Sequence, residues 1–207
     1  KAVEQLAKSH TEVWDANCPL VEKIHRIAEE CGKEGGFLWL GGDASHPEIQ
    51  GIVGYATGRE YVFASLEELK ALLPGLDPEK KVCMAAQTTF EVTNWLECTS
   101  FIKKVCTKCR VFDTICNATW AKQQETEPLA RRSALGVIVG ARRSSNTRNL
   151  YSVATANTRE LQIATPGETT ARMLDGIKNT GPTDGAFPPS SAISEVLTRK
   201  SDVNRQD

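Results

Sequence analysis

The sequence predicts an α/β protein made of two pseudo-symmetric βα units with small parallel sheets. Three observations carry that reading. The first is an internal repeat. Val13–Lys23 (VWDANCPLVEK) and Val111–Lys122 (VFDTICNATWAK) both read Val–aromatic–Asp–x–x–Cys, with Cys18 and Cys116 98 residues apart. A Gly-flanked apolar run follows each copy (Gly36–Gly42, GFLWLGG, and Gly136–Gly140, GVIVG), and then a short polar loop (Asp43–Glu48, DASHPE, and Arg142–Thr147, RRSSNT). Self-similarity at a fixed period marks units of one architecture. The second observation is alternation: apolar runs of strand length exchange with stretches whose apolar residues recur at helical spacing, the pattern of βα units. The third is punctuation of those segments by Gly, Pro and capping residues.

Taken in order, Lys1–His10 reads as the end of a helix and Glu12–Asp15 as a short strand leading to Cys18. Pro19 stands at a helix start, where proline is tolerated. Leu20, Ile24, Ile27 and Cys31 continue at helical spacing to Gly32. Phe37–Leu40 is a strand, Gly41–Gly51 a glycine-rich loop holding His46, Pro47 and Glu48, and Tyr61–Ala64 another strand. Ser65 with Glu68 forms a capping box for a helix to Leu73. Val82–Ala86 is a strand ending in the turn Gln87–Thr89, and Val92–Val105 is a helix. Arg110–Asp113 is the expected strand of the second unit, followed by Cys116 and a helix over Thr119–Arg132. Leu135–Val139 and Leu161–Ala164 are strands, and Asn146–Ala156 and Glu168–Lys178 helices. Beyond Asn179 the pattern weakens into a turn-rich loop, Gly181–Pro189, and a last helix over Ser190–Arg199.

A chain of 207 residues, 40% hydrophobic, holds one large or two small domains. A net charge of −1 gives no reason to expect nucleic acid or an anionic membrane surface as partner. No apolar run approaches the roughly 20 residues of a membrane span. The chain opens at Lys1 inside an amphipathic segment, which reads as a fragment or a processed form. Seven cysteines in no secreted disulfide pattern point to free thiols in a reducing compartment.

In parallel sheets, sites form at the carboxyl ends of strands. Cys18, His46, Thr88, Cys116 and Asn146 are all expected there. Cys18 and Cys116 each follow a strand and precede a helix, a setting that favours thiolate and suits an iron–sulfur cluster or a soft metal. The alternative is a pair of buried core thiols. Cys106 and Cys109 form a CxxC without a second ligand pair, which leaves a zinc module or a plain helix end; Cys31, Cys83 and Cys98 fall in apolar patterns. His46 and Glu48 pair a cation with a proton carrier on one loop. Ser144, Ser145 and Asn146 before a helix, with Arg142, Arg143 and Arg148 nearby, make either a phosphate cradle or a simple N-cap.

Together these residues resemble the LytB-type 4-hydroxy-3-methylbut-2-enyl diphosphate reductases. The resemblance rests on Asp15–His25 (DANCPLVEKIH), Gly42–Gly51 with HPE, Gln87–Thr89 (QTT), Ile115–Glu125 (ICNATWAKQQE) and Val137–Leu150 (VIVGARRSSNTRNL), collinear over about residues 10 to 156. It implies a three-unit α/β fold around a [4Fe–4S] cluster, of which this chain corresponds to two thirds. Residues 1–14 would be the remnant of a preceding unit, 15–109 the first unit present, 110–199 the second and 200–207 a tail. Cys18 and Cys116 match two cluster ligands. His46, Ser144, Ser145 and Asn146 match diphosphate ligands, Glu48 the proton-relay acid, and Thr88 a residue beside the substrate hydroxyl. The implied reaction is reductive dehydroxylation to isopentenyl and dimethylallyl diphosphates, with ferredoxin or flavodoxin as donor, in a bacterial cytoplasm or a plastid-type organelle. The sequence departs from the family in three places. The first unit is not seen before Asp15. Ala121 and Lys122 stand where Asn–Arg is usual. Gly185–Ala186–Phe187 stands where a strand leads to Gly–Ala–Ser, and no clear strand precedes it here. The competing expectation is a non-catalytic α/β domain that binds a diphosphate or a partner chain without a cluster.

Overall fold

The protein is described by a computed structural model that covers residues 17–75, 80–170, 173, 177, 179–184 and 190–203. Two parallel sheets organise it. The first has strand order β2-β1-β3-β4, with β1 Phe37–Gly41, β2 Arg59–Phe63, β3 Val82–Ala86 and β4 Cys109–Val111. The second has order β6-β5-β7, with β5 Leu135–Val139, β6 Glu160–Ile163 and β7 Thr180–Asp184. The α/β class with small parallel sheets therefore stands as expected.

Both faces of the first sheet are covered, so its central strands are apolar throughout: β3 is buried at every position. On one face α1 (Pro19–Lys33) and α2 (Pro47–Val53) bring Ile24, Ile27, Ile49 and Ile52 onto Leu38, Leu40 and Cys83. On the other, α3 (Leu66–Leu72) and α4 (Val92–Val105) bring Leu69, Trp95 and Ile102 onto Trp39, Phe63, Val82 and Met84. Each such apolar side chain contributes about 1.5–3 kcal/mol on burial. The second sheet is sandwiched likewise. α5 (Asn117–Arg132) and α6 (Ser145–Thr155) supply Ala130, Leu150 and Ala154 against Ile138, and α7 (Ser190–Val203) supplies Ala192 and Val196 against Leu135, Val137 and Val139.

Four sequence expectations need correction. Gly41–Gly51 is not one loop, because Pro47–Val53 is a helix. Pro47 fits its first turn, the His46 ring accepts the Glu48 N–H, and Ile49 and Ile52 bury one apolar edge. The strand before Cys116 does not belong to the second unit's sheet. It is Cys109–Val111, hydrogen-bonded to β3 in the first sheet, while α5 after Cys116 packs on α6 and β7 of the second. The expected boundary at 109/110 thus runs through a strand. A strand does precede Gly185: Thr180–Asp184 pairs with β5 over its full length. Gly181 and Pro182 hid it, since both disfavour strands, but β7 lies at a sheet edge where proline is tolerated. Finally, Pro166–Glu168 is a 3₁₀ turn and Thr169–Thr170 is not helical. Most of Arg172–Lys178 lies outside the described residues, as do the expected elements at Lys1–His10 and Glu12–Asp15 and the Gly185–Phe187 segment.

The link from β4 to α5 is fastened to the first sheet. Phe112 N–H donates to Met84 O (2.8 Å). Trp95 Nε1 donates to Asp113 (3.1 Å). Buried Thr114 accepts from Ala86 N–H (2.8 Å) and donates to Ala86 O (2.7 Å), closing off the end of β3. Cys116 N–H donates to Thr88 O (2.9 Å).

Candidate functional site

The strand order places the change of winding direction between β1 and β3, and the loops leaving their carboxyl ends frame the crevice where α/β sheets bind ligands. From the β1 side come Asp43, His46 and Glu48, and from the β3 side Gln87, Thr88 and Thr89. Gln87 ties the two, accepting from Asp43 N–H (3.2 Å) and donating to the Thr89 hydroxyl (3.1 Å).

Glu48 is gripped by one residue. Thr88 N–H donates to its Oε1 (2.7 Å) and the Thr88 hydroxyl to its Oε2 (2.8 Å). Since Thr88 O also accepts from Cys116 N–H, Glu48, Thr88 and Cys116 form one bonded series. His46 Nδ1 accepts from Glu48 N–H (3.1 Å), which commits that nitrogen as acceptor and leaves Nε2 as the donor. His25, read from sequence as a surface or core residue, stacks on Tyr55 with ring centroids 4.2 Å apart. Burial holds its pKa below the ordinary value, against the opposing charges of Glu22 and Glu48.

Cys18 and Cys116 are the N-cap residues of α1 and α5, and neither thiol makes a capping bond. Cys18 is exposed and Cys116 partly buried. The other five thiols stand apart. Cys31, Cys83 and Cys98 are core residues, Cys106 ends α4 and Cys109 opens β4. Burial, reinforced by Cys106, pushes the Cys109 thiol up to about 12. Among the described residues no group of three or more His, Cys, Asp or Glu side chains could hold a metal ion.

The second sheet contributes the amino end of α6. Ser144 caps it, its hydroxyl oxygen accepting from Thr147 N–H (3.4 Å). Ser145 is buried, and its oxygen accepts from Arg148 (3.3 Å). Asn146 is 2% exposed, yet neither its amide nitrogen nor its amide oxygen has a hydrogen-bond partner. An unpaired buried amide costs about 1–3 kcal/mol per group, a cost that a bound polar group would recover. Two contacts draw this cradle to the first sheet: Arg148 pairs with Asp43 (3.3 Å), and Asn149 donates to Thr89 O. The Ser45 hydroxyl first, then its N–H and Arg148, hold the Asp43 carboxyl below its usual range. A cavity of about 290 Å³ lies along this seam, with Asp43, Gln87, Glu91, Ser145, Arg148 and Asn149 in its wall.

Glu48, Thr88, His46, Ser144, Ser145, Asn146, Cys18 and Cys116 are the residues expected from sequence at the site. The structure joins Glu48, Thr88, His46 and Cys116 directly, and joins the serine–asparagine cradle to them through Arg148–Asp43 and Asn149–Thr89. Cys18 is linked to the set through α1, which packs on α2, β1 and β3. Asp43 and Asn149 were missed. Their signal is weak, since an acid after a strand and an asparagine in a helix have many ordinary uses. Lys122, noted as a departure, pairs with Asp184 and so ties α5 to the end of β7.

A family model described as LytB protein matches residues 1–200. The chain belongs to the LytB family. Similar relatives include the 4-hydroxy-3-methylbut-2-enyl diphosphate reductase of Nautilia profundicola, 32% identical over 95% of this chain and 70% of its own length. That of Helicobacter pylori is 33% identical over 97% and 72%. Among solved structures, this LytB-family chain matches one titled as (E)-4-hydroxy-3-methyl-but-2-enyl diphosphate reductase, the terminal enzyme of the non-mevalonate pathway, with a TM-score of 0.56 and 31% identity over 96% of this chain and 71% of that one. It also matches the Plasmodium falciparum E-1-hydroxy-2-methyl-but-2-enyl-4-diphosphate reductase, with a TM-score of 0.83 over 95% and 63%. At 22% identity the latter speaks for the fold alone.

Proposed function

We propose that this chain carries the substrate-binding and proton-handling residues of a 4-hydroxy-3-methylbut-2-enyl diphosphate reductase. The observation that carries the reading is the bonded series Glu48–Thr88–Cys116, tied through Asn149–Thr89 and Arg148–Asp43 to a cradle whose buried Asn146 amide is unpaired. The relatives' names supply the substrate, a diphosphate with a hydroxyl at the other end of a short carbon chain.

The diphosphate suits the start of α6. Free N–H groups and the positive end of the helix dipole favour an anion. Ser144 and Ser145 have oxygens already accepting bonds, so each hydroxyl hydrogen is left to donate. The Asn146 amide donates likewise, and His46 donates from Nε2 across the crevice. At the far end Glu48 is the acid that relays a proton to the leaving hydroxyl, and Thr88, donating to both of its oxygens, fixes its direction. The balanced change is cleavage of the C4–O bond with uptake of two electrons and two protons. One proton leaves with the hydroxyl as water and the other goes to carbon, giving isopentenyl or dimethylallyl diphosphate.

A [4Fe–4S] cluster would supply the electrons and an iron site for the hydroxyl, recharged by a ferredoxin or flavodoxin. Cys18 and Cys116 fit two of its thiolate ligands, being uncapped thiols at helix amino ends. A third has no counterpart beside them among the described residues, and this same observation favours the second reading, a diphosphate-binding domain without a cluster.

Anaerobic reconstitution with iron and sulfide tests it. The reductase reading expects the charge-transfer absorbance of a cluster, lost in Cys18→Ser and in Cys116→Ser. No chromophore, with both variants like wild type, removes the cluster and leaves the binding domain.

A further inference from the structure

We propose that Arg148 is a positioning residue for the anion cradle, acting through Ser145. The inference rests on the diphosphate reading and gives Arg148, so far one of three nearby positive charges, a defined task in the cradle. Arg148 Nη2 makes two bonds at once, to Asp43 Oδ2 and to Ser145 Oγ, each 3.3 Å. A serine hydroxyl has one hydrogen and two lone pairs. With a guanidinium N–H on one lone pair, Ser145 cannot turn its hydrogen toward Arg148. The hydrogen is left for the crevice, and the cationic donor polarises the O–H and strengthens the bond it gives. Ser144 reaches the same condition through Thr147 N–H.

Asp43 gives the arrangement its second half. Its Oδ1 is taken by Ser45, through both N–H (2.9 Å) and hydroxyl (2.6 Å), so Oδ2 is the oxygen left for Arg148. The guanidinium is thereby anchored from the first sheet while it bonds Ser145, the first residue of α6. Bonded to Ser145 and to Asp43, Arg148 also transmits the position of the β1 loop to the cradle. The pair is half-exposed, so its loss should leave the fold intact.

A double-mutant cycle read by calorimetric titration of inorganic pyrophosphate into the protein tests this. Arg148→Met is expected to weaken pyrophosphate binding about tenfold, the scale of one charge-assisted hydrogen bond. Ser145→Ala weakens it similarly, and the double variant no further than Ser145→Ala alone. Arg148→Lys, which keeps a cationic donor, recovers part of the affinity. Binding left unchanged by Arg148→Met, with only a lower melting temperature, would mean a mere structural tie and overturn the proposal. Additive losses in the double variant overturn it too, because Arg148 would then act on the anion without Ser145. Wild type that binds no pyrophosphate overturns the cradle itself, and this inference with it.

Discussion

Replacing Asn146 by alanine should remove binding without harming the resting protein, the reverse of what most buried substitutions do. Ordinary buried replacements cost about 0.5–3 kcal/mol. Asn146 is 2% exposed and makes no side-chain hydrogen bond, although its neighbours Ser145 and Thr147 are equally enclosed. Its two polar atoms each carry an unrecovered desolvation cost of about 1–3 kcal/mol. Truncation removes that cost and forfeits only the packing of a small side chain. We expect Asn146→Ala to be as stable as wild type without anion, or up to about 2 kcal/mol more stable. For a protein of this size that is a melting temperature unchanged or raised by about 4–8 °C. Pyrophosphate at 100 times its Kd should stabilise wild type by about 2.7 kcal/mol. If the amide gives that anion about 2–3 kcal/mol, Kd in the variant rises about 100-fold, and the same concentration then stabilises it by only about 0.4 kcal/mol. Thermal unfolding with and without pyrophosphate reads both quantities. A variant that melts well below wild type without anion, or one that keeps the full pyrophosphate shift, refutes the reasoning.

Two further predictions concern stability. A Cβ on Gly140 would lie 2.4 Å from Thr147 Oγ1 and 3.1 Å from its Cγ2, on a residue that is 1% exposed; Gly140→Ala should cost about 1–3 kcal/mol in urea unfolding, and Thr147→Ala in the same chain should relieve part of it, so that no relief would mean the clash lies elsewhere. Burial raises the Cys98 thiol from 9.0 to about 11 and Cys109 to about 12; the folded state holds these protons after the unfolded state has lost them, so this contribution is full below pH 9 and is lost as pH rises toward 11–12, and alkaline unfolding should be less steep in Cys98→Ala, while at neutral pH exposed Cys18 should alkylate before either.

Most of the fold was legible because the signals were local. Runs such as Val82–Ala86 and Leu135–Val139 are continuous and apolar, and Pro19, Ser65 and Ser144 mark helix starts with the chemistry that caps need. What failed to show depended on distant partners. Thr180–Asp184 has no strand composition and exists because β5 offers an edge. Cys109–Val111 could be recognised as a strand of some sheet, but nothing in three residues says which one. Pro47–Val53 was hidden by Gly51 within it and the glycines on either side, and revealed only by the burial of Ile49 and Ile52. At the site, Glu48, Thr88 and the Ser–Ser–Asn run were visible as residue types in the right order. The bonds that orient them, from Thr88 to Glu48 and from Arg148 to Ser145 and Asp43, join residues that the linear order keeps apart or leaves indistinguishable from any exposed polar side chain.

The fastening of residues 112–116 to the first sheet makes the crevice a gauge of length. Cys116, Thr88 and Glu48 move with one sheet, and the Ser144–Asn146 cradle moves with the other. A molecule anchored by an anion at one end and read by an acid at the other is measured across that seam. The measure is set by Asp43–Arg148, by Asn149–Thr89 and by Gln123, which accepts from Val92 N–H and donates to Phe90 O. Loosening the Asn149–Thr89 tie should leave each end of the site intact while blurring its discrimination between substrates whose carbon chains differ by one atom.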